Sequence, residues 1–104
     1  MKTAGFPKGI TELPDFDGPF DAHKLSGDGC DVLFASYPAG TCIDFHTHST
    51  ENYGVITAGE LVLLTDKGER RYGTGDWYHL DPHERHAARF EVDTAEIEFW
   101  FKRD

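Results

Sequence analysis

The chain predicts an all-β fold in a single domain, from three features of the sequence. Short apolar or alternating runs recur between turn signals, glycines stand where tight connections need positive φ, and no stretch sustains helical periodicity. Residues 1–19 come first, with breakers at Gly5, Pro7, Gly9, Pro14, Gly18 and Pro19. That spacing forbids a regular helix and predicts an irregular N-terminal arm laid over the domain, which then occupies residues 20–104. After Ser26-Gly-Asp-Gly29 a strand is predicted over 31–37, and after Pro38-Ala-Gly40 another over 41–48. Gly59 separates strands over 53–58 and 61–66, and Asp66-Lys-Gly68 leads into 69–72. Gly73-Thr-Gly75-Asp76 precedes 77–80, and the last two strands are predicted over 86–90 and 95–101. Eight strands at that pitch give the rhythm of a barrel or sandwich.

Composition narrows the function classes. A chain of 104 residues buries a marginal surface unless a closed barrel, a metal or a partner subunit helps. Acidic residues outnumber basic ones by 19 to 10, a formal net charge of −9, so phosphate backbones and anionic membranes are repelled and no nucleic acid or membrane partner is expected. No run of about 18 apolar residues exists and the N-terminus lacks the apolar stretch of a signal peptide, so a cytoplasmic location is expected. Cys30 and Cys42 do not make a disulfide framework and are expected as free thiols.

The segment from Gly40 to Asn52 carries chemistry. His46 and His48 stand two apart on a predicted strand, where alternation sends both imidazoles to one face, and imidazole suits zinc, copper, iron or nickel. Cys42 and Asp44 share that parity, although Cys42 is about 13 Å from His46 by strand rise and too remote to join the same ion. His86, far downstream, is the third histidine of interest. His23 is expected at the surface, and His79 either lines a pocket or faces out.

These residues resemble the cupins, whose small members are double-stranded β-helices or jelly-roll barrels. The first cupin motif runs glycine, five residues, His-x-His, three or four residues, glutamate, six residues and glycine, and Gly40, His46, His48, Asn52 and Gly59 fall at those spacings. The second opens with Gly-Asp and reaches a histidine eleven residues after the glycine, as Gly75-Asp76 and His86 do. The resemblance implies a divalent metal ion (iron, manganese, nickel or zinc) held by His46, His48, His86 and Asn52. Two positions depart from the pattern. Asn52 replaces the usual glutamate, with Glu51 one residue earlier, so that either the amide completes the shell or a bulge turns Glu51 inward. Asp81-Pro82-His83 stands where Pro-x-Gly is usual, with His83 in the glycine position.

The resemblance implies a metal-dependent enzyme, dioxygenase or isomerase-like, acting on a small organic substrate, with Glu51, His79 or His83 as general base by motif position. A non-catalytic binding or sensing module and a metal-free vestigial barrel are the alternatives. Arg70, Arg71, Arg85 and Arg89 offer a local positive spot near the mouth. Tyr53, Trp77 or Phe90 would line an apolar cleft. The run Ile97-Glu98-Phe99-Trp100-Phe101 is apolar on both parities, which predicts burial on both sides or a dimer contact, and the resemblance likewise implies a homodimer.

Overall fold

Strand pairing between segments far apart in the chain dominates the architecture, which the computed structural model describes for residues 6–102. The strands are β1 (Asp21–Ser26), β2 (Cys30–Tyr37), β3 (Thr41–His46), β4 (Glu51–Ala58), β5 (Glu60–Thr65), β6 (Gly68–Gly73), β7 (Trp77–Leu80), β8 (His86–Phe90) and β9 (Thr94–Phe101). They form a five-stranded sheet in the order β1-β2-β9-β4-β7 and a four-stranded sheet in the order β3-β8-β5-β6, antiparallel throughout. The two sheets face each other as the jelly-roll barrel expected. Among the described residues no helix is long and apolar enough to cross a membrane.

Alternation sets the core. Leu33, Ala35 and Tyr37 from β2, Ile56 from β4, Leu61 and Leu63 from β5, Tyr78 and Leu80 from β7, and Phe90 from β8 turn into one buried cluster. Gly59, between β4 and β5, takes φ 81°, and a Cβ there would run into the Asp93 carbonyl and Thr94. Only glycine fits that joint.

Three expectations change. The arm holds one helical turn, α1 (Lys8–Thr11), which follows Pro7 at its N-cap, a ring tolerated at a helix start, and ends before Pro14. Residues 14–16 then pair with β1: Phe16 N–H donates to the Ala22 carbonyl at 2.9 Å and Lys24 N–H to that of Pro14 at 2.8 Å. The first five residues of the arm lie outside the described residues, as do 103 and 104. β1 is an additional strand, hidden because Ala22 and Leu25 are its only apolar residues and it sits at a sheet edge. His23, expected at the surface, has a side chain only 14% exposed, beside Asp15 at 3.5 Å and under the Leu13 carbonyl at 3.3 Å. Cys30 and Cys42 are free thiols.

Candidate metal centre

His46 and His86 are directly opposite each other in the β3–β8 ladder, which sets their rings side by side with centroids 4.3 Å apart. His48 joins them, with centroids 4.7 Å from His46 and 5.2 Å from His86. The strand geometry expected for the His46–His48 pair is corrected: β3 ends at His46, and His48 lies in the connection to β4. The register shift between Ile43 and His46 breaks the parity that tied Cys42 to the histidines, leaving Cys42 exposed while Ile43 and Asp44 line the cavity. The His83 N–H donates to the His48 carbonyl at 2.6 Å and fixes the connection.

Hydrogen bonding selects the tautomers. His46 Nδ1 lies 2.7 Å from the Asp44 carbonyl and His86 Nδ1 2.8 Å from that of Glu84. A carbonyl only accepts, so both Nδ1 atoms carry the proton and both Nε2 atoms present a lone pair in the neutral rings. His46 Nε2 and His48 Nε2 are 3.1 Å apart, and one ligand nitrogen from each of the three histidines lies within 4.8 Å of the others. Two nitrogens on one divalent ion, with bonds of ~2.0–2.1 Å, stand about 2.9–3.4 Å apart, so the spacing fits a shared ion. Burial, and then the neighbouring His46 and His86, push His48 down to about 4, while burial lowers His86. Both rings are therefore neutral and ready to ligate at pH 7.

Asn52 faces the same cavity and is 4% exposed, its Oδ1 accepting from the Thr50 hydroxyl at 2.6 Å. Glu51 does not turn inward, because β4 holds an unbroken register with β9 from Glu51 to Ile56 and alternation sends its side chain outside. There Glu51 accepts from His79 Nε2 at 2.9 Å and from the Tyr53 hydroxyl at 3.2 Å, with Asp81 3.6 Å from the same His79 nitrogen. His79 is thus on the outer face. His83 occupies the exposed turn with φ 63°, the left-handed conformation of the glycine it replaces, and Glu84 N–H closes the turn onto the Asp81 carbonyl at 3.1 Å. None of Glu51, His79 and His83 lines the cavity that holds the three imidazoles.

That cavity measures about 430 Å³, the size of a small-ligand pocket, and its walls are mostly apolar. Phe90 lines it, whereas Tyr53 and Trp77 lie outside. Phe16 from the arm and Phe20 just after it close over the cavity: Phe16 meets Trp100 at 5.8 Å and Phe20 meets Tyr37 at 5.1 Å between centroids. Of the four arginines expected near the mouth, Arg71 and Arg89 are engaged elsewhere by Glu60, Glu69 and Glu91, and Arg70 stacks over Tyr72. Arg85 lies 3.8 Å above the ring of Phe45, which lines the cavity, and pairs with Asp66 at 3.6 Å.

Sequence reasoning missed the polar interior of β9. Glu96 and Glu98 point into the cavity, where Tyr78 donates to Glu96 at 2.5 Å, and Tyr37 and the Trp100 indole donate to Glu98 at 2.6 and 2.9 Å. The Trp100 ring in turn lies 4.6 Å from His48. The only sequence signal was two carboxylates sharing one parity of an otherwise apolar run, and the usual rule of apolar residues inward reads that run inside out.

A family model described as "Cupin domain" matches residues 33–100. Among curated proteins, none matches the sequence. Solved structures resemble this one at low identity. An RmlC-like cupin from Shewanella frigidimarina NCIMB 400 is 18% identical with TM-score 0.78, covering 94% of this chain and 89% of that one. A cupin superfamily protein from Desulfitobacterium hafniense DCB-2 is 14% identical with TM-score 0.76, covering 90% and 87%. An ectoine synthase from P. lautus is 20% identical with TM-score 0.77, covering 90% and 73%. These likenesses show the fold, and the match over residues 33–100 carries both histidine motifs. The chain belongs to the cupin family.

Proposed function

We propose that this chain is a small metal-dependent enzyme, dioxygenase or isomerase-like, acting on a small organic molecule in the barrel cavity. The observation that carries the proposal is the convergence of three imidazole nitrogens in that cavity, with two of the rings held in the ligating tautomer by backbone carbonyls. His46, His48 and His86 would hold the ion, with the Asn52 amide oxygen from the same cavity as a neutral fourth donor. A bound divalent ion supplies Lewis acidity, or redox reactivity toward dioxygen when it is iron or manganese. The chain itself excludes water, through Phe16, Phe20 and Trp100, and presents an apolar wall to the substrate. A cytoplasmic homodimer is part of the proposal. Trp77, 57% exposed and stacked on Phe99 at 5.9 Å, marks the outer face of the five-stranded sheet where a second copy would sit.

Metal analysis of protein prepared without a chelating tag tests the reading, followed by titration with Fe²⁺, Mn²⁺, Ni²⁺ and Zn²⁺. Near-stoichiometric uptake by the wild type, lost in His48→Ala and weakened in Asn52→Ala, is expected. Equal retention by both variants would overturn the ligand assignment. For loaded protein, oxygen consumption across diketones, thiols and phenolics separates the oxygenase from the isomerase branch, and ligand binding with no turnover of any kind would favour a sensing module.

A further inference from the structure

Two of the three histidines are oriented by the backbone, and the third is not. His46 and His86 each give an Nδ1 proton to a carbonyl two residues before them, on Asp44 and Glu84. His48 stands beyond the end of β3, and among the described residues no carbonyl or carboxylate is hydrogen-bonded to its ring. Its nitrogen contact is the 3.1 Å approach to His46 Nε2, which a shared ion would replace. A ligating imidazole needs an outer partner to hold its plane. Apart from the other two imidazoles, the ring against His48 is the Trp100 indole, with centroids 4.6 Å apart and planes at 46°. We infer that Glu98 is a positioning residue of the metal centre, acting through Trp100: it holds the indole so that its ring backs His48 with a nitrogen toward His46 and His86.

The contacts run along one face of β9. Glu98 and Trp100 are two apart, so alternation turns both toward the cavity, and the indole Nε1–H donates to Glu98 Oε1 at 2.9 Å. Glu98 is itself anchored. It is 6% exposed, its Oε2 accepts from the Tyr37 hydroxyl at 2.6 Å, and Tyr37 stacks face to face on Phe90 at 4.0 Å between centroids. The Glu96 carboxyl, raised well above its ordinary value by burial and then by Glu98, keeps its proton and shares a hydrogen bond with Glu98. An acceptor fixed from several directions fixes the donor it receives, and an indole with its N–H pinned has little freedom left about its two χ angles. Phe16 closes on the same indole edge-on, at 5.8 Å and 71°. Packing limits where the indole lies; the hydrogen bond sets which edge faces the carboxylate, and so the plane offered to His48. The inference rests on the proposed function in taking the three histidines as a metal centre.

Two variants of nearly native volume separate position from charge. Glu98→Gln keeps an oxygen for the indole, and the Tyr37 hydroxyl can turn to accept from its amide, whereas Glu98→Met offers neither. Chelator-stripped protein is titrated calorimetrically with Ni²⁺ and Zn²⁺, and the His48 ring is followed by NMR in the metal-free state through nuclear Overhauser contacts to the Trp100 ring. Outer partners of ligating histidines are worth about 10–100-fold in metal affinity, so Glu98→Met should bind at least about tenfold more weakly while Glu98→Gln stays within about threefold of wild type. The ring contacts should be present in wild type and Glu98→Gln and lost in Glu98→Met. Equal weakening in the two variants would assign the effect to the lost charge, and native affinity in a folded Glu98→Met would leave Trp100 as packing; either result overturns the inference. If Glu98→Met does not fold, the wild type decides: missing His48–Trp100 contacts, or rapid solvent exchange of the Trp100 indole proton, overturns the inference, and a protected proton with the contacts present upholds it. Failure of the wild type to take up any ion would defeat the metal reading, whereas the ring contacts, read without metal, would still show whether Glu98 orients His48.

Discussion

Glutamine at position 96 should change how stability depends on pH, in a direction the structure dictates. The substitution keeps the side chain's volume and an oxygen acceptor for the Tyr78 hydroxyl while removing ionisation. The groups facing Glu96 are Glu98 on β9, Tyr37 on β2 and Tyr78 on β7, and both phenols are pushed up by burial and by the two carboxylates, so neither supplies positive charge. A carboxyl whose folded value lies well above 4.5 keeps its proton in the fold and releases it on unfolding. Its contribution is complete below that pH and is lost as pH rises toward the folded value, at up to about 1.4 kcal/mol per pH unit. Urea unfolding of metal-stripped protein, followed by Trp77 and Trp100 fluorescence at pH 5, 6, 7 and 8, measures the difference between wild type and Glu96→Gln. The variant should gain on the wild type steadily as pH rises. Parallel stability curves across that range would show that Glu96 ionises in the fold, and the account of its burial would be wrong.

Three further outcomes are expected. Gly59→Ala forces a side chain into the left-handed region against the Asp93 carbonyl and should cost at least about 2 kcal/mol in a urea titration, with an unchanged midpoint counting against the strained joint. His83→Gly should stay within about 1 kcal/mol of wild type and keep its metal uptake, while His83→Val loses stability, because the position needs positive φ rather than an imidazole. Loss of uptake in the glycine variant would mean that the His83 ring ligates. Asn52→Glu should act with opposite signs, lowering the melting temperature of metal-free protein by burying a carboxylate beside neutral rings and raising divalent-ion affinity at least about tenfold, and a lowered affinity would exclude position 52 from the shell.

Much of the barrel was legible because spacing and parity are local properties. The glycine and histidine frame gave the jelly roll, and the placement of His46, His48 and His86 follows from it even though His48 is not on the strand. What failed was parity applied across irregular backbone: the bulge after Ile43 moved Cys42 out of line, and no sequence signal announced it. In β4 the reverse held, since unbroken pairing with β9 sent Asn52 in and Glu51 out, deciding between alternatives the sequence left open. β1 was invisible because a strand with two apolar residues takes its stability from pairing with β2 and with residues 14–16 rather than from its own pattern.

The hardest element to read was β9, and its inversion follows from its position. It is the central strand of the five-stranded sheet, hydrogen-bonded to β2 and β4, with the half-buried Ile97 and Phe99 on the outer face, where Phe99 packs on Trp77, and Glu96 and Glu98 facing in. Inward carboxyls persist only where donors reach them, and each donor depends on a residue elsewhere in the chain. Tyr78 reaches Glu96 because its partner across the β4–β7 ladder is Gly54, where a Cβ would collide with the phenol ring. Gly54 thus clears space for the phenol, and the phenol donates to one Glu96 oxygen at the wall of the cavity. A glycine in mid-strand, a weak point by propensity alone, therefore has its reason in the polar end of the pocket, which a pattern of apolar alternation cannot reveal.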